Sequence, residues 1–114
     1  MAATLLLVLV TCPTRAVARR IAERLIRERL AACVNVVPGI SSVFEWKGRV
    51  ERCQELLLLI KTTTGRFERL QHRVLALHPY EVPEILALPI SRAHPPYAQW
   101  VAAALTGSKS IRHT

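Results

Sequence analysis

Hydrophobic positions along this chain change period several times, and each change marks an element. Residues 4–11 are apolar almost without a break and end at Cys12-Pro13. A run this short, bounded by proline, predicts a strand buried on both faces. From Arg15 to Leu30 the period becomes helical. Val17, Ala18, Ile21, Ala22, Leu25 and Ile26 share one side, with Arg19, Arg20, Glu23, Arg24 and Arg27 on the other. Thr11 or Thr14 supplies the helix cap. Residues 31–37 return to strand chemistry, Pro38-Gly39 interrupts them as a bulge or bend would, and residues 40–46 continue. Lys47-Gly48-Arg49 is a tight turn. Residues 50–63, with the apolar stretch Leu56–Ile60, form the returning arm of a long hairpin.

Phe67, Leu70, Val74 and Leu77 stripe a second helix over residues 66–77, which His78-Pro79 stops. A fourth strand is predicted over residues 84–90. Pro95-Pro96 then opens a short last helix that carries Tyr97, Trp100, Val101 and Ala104 inward. The order is β-α-β-β-α-β plus a terminal helix. That order predicts an α+β, ferredoxin-like split βαβ domain with an antiparallel sheet, its first and third strands central. One domain is expected over residues 1–106, with a flexible C-terminal tail over 107–114. The helices can bury only one side of the two central strands. The other side needs an apolar partner, and a second copy of the chain is the economical one.

Composition narrows the class. Hydrophobic residues make up 51% of the 114 and charged residues 21%, which excludes a disordered chain. No apolar run approaches the ~18 residues of a membrane span, so no membrane role is expected. Sixteen Lys and Arg face eight acids, a net charge of +8, and all eight acids are glutamate. The lack of aspartate disfavours EF-hand and Walker-B sites. The basic excess can attract nucleic acid, but a base-stacking platform needs aromatics on the central strands, and residues 5–10 and 56–60 contain none. No specific nucleic-acid binding is expected. Cys12, Cys33 and Cys53 show no CxxC spacing, and an odd, low count does not make a secreted disulfide framework. No basic segment precedes the first apolar stretch, so a cytoplasmic location is expected.

Several strings match a known family. They are Thr11-Cys12-Pro13; residues 28–35 (ERLAACVN) with Pro38-Gly39 and Ser42; Trp46-Lys47-Gly48 with Glu51 and Glu55; Ile60-Lys61-Thr62; and residues 78–85 (HPYEVPEI). Together they resemble the CutA divalent-cation-tolerance family over roughly residues 4–105. The resemblance implies a compact homotrimer of ferredoxin-like subunits, PII-like in architecture. It also implies a link to copper and other divalent metals, a possible signalling or small-ligand role, and no catalytic reaction. One departure stands out. After Glu51 the family often continues with acidic residues, whereas Arg52, Cys53 and Gln54 follow here.

Candidate chemistry gathers at few positions. Cys33 and Cys12 are the candidate soft ligands for Cu(I), which favours thiolate; Cys33 also reads as a small buried hydrophobe, and Cys12, beside Pro13 at a strand end, is the more accessible of the two. His78 is either a helix C-terminal residue favourable to the dipole or a metal ligand. Tyr80, Glu81 and Glu84 stand beside it in a proline-stiffened loop. Lys61 ends an apolar strand and must snorkel or pair, either with Glu81 or with an anion captured in a cleft between subunits. Trp46, at the hairpin tip, is suited to packing on a neighbour. Trp46, Lys61, Tyr80, Glu81 and Glu84 are thus expected in a ligand-binding cleft between subunits. No obligatory cofactor is expected, with copper or another divalent ion as cargo. The alternative is an acylphosphatase-like hydrolase using Arg15 and Asn35. It is weakened because the loop 11–14 has no glycine and its proline removes an N–H donor.

Overall fold

A computed structural model describes residues 4–107. Strand β1 spans Leu5–Cys12, helix α1 Arg15–Arg27, β2 Cys33–Trp46, β3 Arg49–Thr63, α2 Phe67–Leu77, β4 Ile85–Pro89 and α3 Pro95–Thr106. A single 3-10 turn at Thr64–Arg66 precedes α2. The four strands form one antiparallel sheet in the order β2-β3-β1-β4, so β1 and β3 are central as expected. The tail expected over 107–114 lies, beyond Gly107, outside the described residues.

Burial in β1 strictly alternates. Leu6, Val8, Val10 and Cys12 are buried, while Leu5, Leu7, Leu9 and Thr11 remain half-exposed. The buried set packs with Leu58 and Ile60 of β3, with Ala18, Ile21 and Leu25 of α1, and with Leu70 and Val74 of α2. The strand read from sequence as buried on both faces is therefore buried on one. Its other face is continued by Leu57 and Leu59 of β3 and by Leu86 and Leu88 of β4, which stand opposite or beside it in the register.

The element ends carry local explanations. Thr14 caps α1, its hydroxyl accepting the Val17 N–H at 3.2 Å. Helix α1 stops at Arg27, three residues before the end read from its periodicity. There the Leu30 N–H donates to Leu25 O at 2.9 Å and the Arg29 N–H to Ile26 O at 3.1 Å. This is a Schellman closure, with Arg29 at φ 56° where glycine is usual and buried Leu30 returning against Leu25. Arg29 also reaches across to the Ala104 carbonyl of α3 at 3.4 Å, while Arg66 donates to that of Leu105 at 2.9 Å.

Strand β2 is not broken at Pro38-Gly39. It carries a bulge there: two residues stand opposite Leu56 alone, with Gly39 at φ 80°. The hairpin turns on Lys47 and Gly48, both at positive φ, the pair of left-handed residues a two-residue hairpin loop requires. In α3 the buried positions are Val101 and Leu105. Tyr97, Trp100 and Ala104 are only half-buried, so the inward face is turned from the one expected. The fourth strand is one residue shorter at each end than the predicted 84–90.

Candidate functional site

The bulge decides which side chains of the hairpin share a face. Before it, odd residues of β2 pair with odd residues of β3; after it, Ser42, Phe44 and Trp46 stand opposite Cys53, Glu51 and Arg49. The hairpin runs on past the end of β1, and the loop after α2 folds against it. Between them lies a cavity of about 800 Å³. Trp46, Tyr80, Glu81 and Glu84 all line it, so four of the five expected cleft residues come together.

His78 positions this loop. It is 8% exposed, and both ring nitrogens are engaged. Nδ1 accepts the Tyr80 backbone N–H at 3.2 Å, which leaves the proton on Nε2 to be donated to Thr11 O at 2.7 Å. The imidazole therefore ties the loop to the end of β1 and has no nitrogen free for a metal. The Tyr80 ring rests 4.6 Å from it, centroid to centroid. At the far side of that ring the Tyr80 hydroxyl donates to Glu55 Oε2 at 2.8 Å.

Glu55 is the residue that sequence reasoning missed as a site member. Its exposure is 6%, and its charge shapes its neighbours. Burial first, then the Glu55 carboxylate, pushes the Tyr80 hydroxyl far above its ordinary range. The same two causes raise the Cys53 thiol, and they raise that of Cys12 to about 11. A glutamate directly before five apolar strand residues is a legible signal that a buried carboxylate needs a donor. Its donor lies 25 residues away in a loop, which no spacing rule reveals. Cys53 and Glu51, not singled out as site candidates, also line the cavity.

Lys61 is elsewhere. It sits near the start of β2, on the sheet face away from the helices, where its ammonium donates to Asn35 Oδ1 and lies 3.9 Å from Cys33 Sγ. The Lys61–Glu81 pair expected from sequence does not form, because six strand residues, ~20 Å of chain, separate Lys61 from the Glu55 end of β3. Asn35, whose amide oxygen a hydrolase reading would need for water, is held by this lysine instead.

The three metal candidates do not converge. Cys33 pairs with Lys61 and Cys12 with Leu56, five residues apart along β3 and on opposite faces of the sheet. Cys12, expected to be the more accessible thiol, is instead fully buried, because the alternation of β1 turns it to the helix side with Leu6, Val8 and Val10, and its thiol is held protonated. Cys33 is half-buried on the open face. Among the described residues no group of three or more His, Cys or Glu side chains could hold one ion. A single chain does not fit a copper chelate of Cys12, Cys33 and His78. The acids concentrate instead at the cavity, where Glu51, Glu55, Glu81 and Glu84 are four of the eight in a chain of net charge +8.

The model of the CutA1 divalent ion tolerance protein family matches residues 6–104. The chain belongs to the CutA family. The CutA divalent-cation tolerance protein of Thermus thermophilus is 57% identical over 94 residues, which cover 82% of this chain and 91% of that protein. The mouse CutA protein is 48% identical over 92 residues, and the match spans 52% of its length. Among solved structures, the Thermus thermophilus protein superposes with a TM-score of 0.84 at 56% identity, covering 85% of this chain and 94% of that one. CutA1 from Oryza sativa does so with a TM-score of 0.87 at 39% identity, covering 96% and 97%. The small α+β fold with its four-stranded antiparallel sheet and three helices is thus the CutA fold.

Proposed function

We propose that this chain is a homotrimeric divalent-cation tolerance protein that acts by binding rather than by catalysis. Its subunit is read as ferredoxin-like and its assembly as PII-like. The observation that carries the proposal is the sheet face opposite α1 and α2. Leu5, Leu7, Leu9, Leu57 and Leu59 are only half covered there, and Leu86 and Leu88 are 53% and 44% exposed. An apolar patch of this kind marks an association surface. The two edge strands β2 and β4 each keep one side unpaired, and pairing with neighbouring copies removes that liability.

Assembly also bears on the cation. The described residues of one chain offer no chelate, so a site for copper or another divalent ion is read as built by bringing copies together, since threefold symmetry multiplies one residue by three. Cys33, on the open face, is the thiol placed for this, and Cu(I) is the ion it would select. The acidic cavity, its mouth formed by the hairpin and the 78–84 loop, is the cleft for a small cationic ligand. A cytoplasmic site of action is part of this reading.

Light scattering in dilute buffer tests the assembly; a species of three times the 12.8 kDa chain mass is expected, and a folded monomer at micromolar concentration overturns it. Anaerobic Cu(I) titration against a competing chelator tests the ligand. Cys33→Ser is expected to lose binding while Cys12→Ser and His78→Ala keep it.

A further inference from the structure

The helix layer presents a different surface from the sheet. Helices α1 and α2 pack side by side, and residues 15–28 and 66–77 hold eight arginines against three glutamates, a net charge of +5. At 100° per residue Arg19, Arg20 and Arg27 fall on the side away from the buried Ala18, Ile21 and Leu25, with Arg15 and Arg24 on its two flanks. Two of the three acids are engaged, and the third, Glu68, is exposed in the first turn of α2 beside Arg69. Glu28 bridges Arg24 at 2.7 Å and Arg73 at 3.0 Å, tying the two helices together, and Glu23 meets Arg27 at 3.9 Å. Arg66 is spent on the Leu105 carbonyl. Arg15, Arg19, Arg20 and Arg69 are exposed and have no acidic partner among the described residues.

We infer that this face of α1 and α2 binds the phosphate backbone of duplex nucleic acid, without reading its sequence. The chemistry of the face selects the occupant. Guanidinium groups match phosphate oxygens through paired N–H donors, and all eight cations here are arginine rather than lysine. Single-strand binders stack bases on aromatic side chains; the one Phe, Tyr or Trp of the two helices, Phe67, packs against the core, leaving His72 as the exposed ring. A membrane surface would ask for apolar side chains to insert. Both helices direct theirs into the core, leaving Ile26 and Leu75 as the large exposed ones. Rigidity favours the same reading, because the Arg24–Glu28–Arg73 bridge fixes the relative placement of the two arginine rows. The face points away from the apolar sheet surface, so association through the sheet leaves it open.

The test is fluorescence anisotropy of a labelled duplex of arbitrary sequence, titrated with the full chain at several NaCl concentrations. Four unpartnered arginines predict a slope of log K against log salt near −3 to −4, or about 100-fold weaker binding at 200 mM than at 50 mM. The variant Arg20→Gln/Arg69→Gln is compared with Arg49→Gln/Arg92→Gln, which removes the same charge from the hairpin and the β4–α3 connection. The first is expected to flatten the slope by roughly 2 and the second to leave it unchanged. Four results overturn the inference: no binding at 50 mM NaCl, equal weakening in both variants, tighter binding to single strands than to duplex, or capture by phosphatidylserine vesicles without duplex binding.

Discussion

Single residues in this chain are governed by one buried carboxylate. Glu55 sits against Tyr80, and both Cys53 and Cys12 feel its charge. Removing the hydroxyl in Tyr80→Phe leaves a nearly buried carboxylate short of a donor, and a loss of about 1–3 kcal/mol in denaturant unfolding is expected. Cys12 makes a separate prediction. Its thiol titrates at about 11 in the fold, above the ordinary thiol value of 9.0. A raised folded value means that its contribution is intact below about pH 9 and is lost as pH rises through about 11. Unfolding followed at pH 8 and pH 11 should show a loss on the order of 2 kcal/mol that Cys12→Ala removes. The same burial predicts that native Cys12 resists alkylating reagents while Cys33 reacts first, read by mass spectrometry of the labelled peptides.

At the scale of elements, what matters is how each one ends. The Schellman closure of α1 uses Arg29 at φ 56°, and the bulge in β2 uses Gly39 at φ 80°. The second has a functional consequence, because the bulge shifts the pairing by one residue and turns Ser42, Phe44 and Trp46 toward the cavity side. Nothing lies within 4 Å of a Cβ added to Gly39, so Gly39→Ala meets only backbone strain. Calorimetry should register about 1 kcal/mol of destabilisation with the fold kept. Replacing His78 has a larger reach. His78→Ala removes the bond to Thr11 O that holds the 78–84 loop to β1 and the bond to the Tyr80 N–H that braces the loop itself, and amide exchange should accelerate across that loop while the core strands stay protected.

The whole molecule is long for its size, 47 Å by 26 Å by 24 Å, because the hairpin runs beyond the helices. A chain of this shape has a closed helix side and an open sheet side. Charge placed on the open side separates the needs of the subunit from those of the assembly. Leu86 and Leu88 are exposed in the single chain, so Leu86→Glu/Leu88→Glu should cost the isolated subunit little. If the sheet face is the association surface, the same pair dissociates the assembly, and sedimentation should show a folded species of single-chain mass. An assembly of unchanged mass removes this face from the interface.

Much of this was written in the sequence. Strand and helix periods placed β1, the hairpin, both core helices and the central position of β1 and β3, because side-chain period is a local property of the backbone. The strings around His78 and Trp46 marked the loop and hairpin that meet at the cavity. Other features depended on contacts between distant segments. The end of α1 lacks the glycine that usually announces it, since Arg29 adopts the left-handed conformation while its side chain reaches α3. The partner of Lys61 is Asn35 rather than Glu81, because the sheet register, set by pairing along whole strands, carries the lysine to the opposite end. Cys12 and Cys33 face opposite ways for the same reason: a strand's period of two assigns the faces, and only pairing with β3 decides how far apart the two thiols lie. The donor to Glu55 is supplied by a loop whose position His78 fixes in three dimensions. Local patterning thus determined the elements and their apolar faces, while register and loop closure, which join residues far apart in the chain, decided the site.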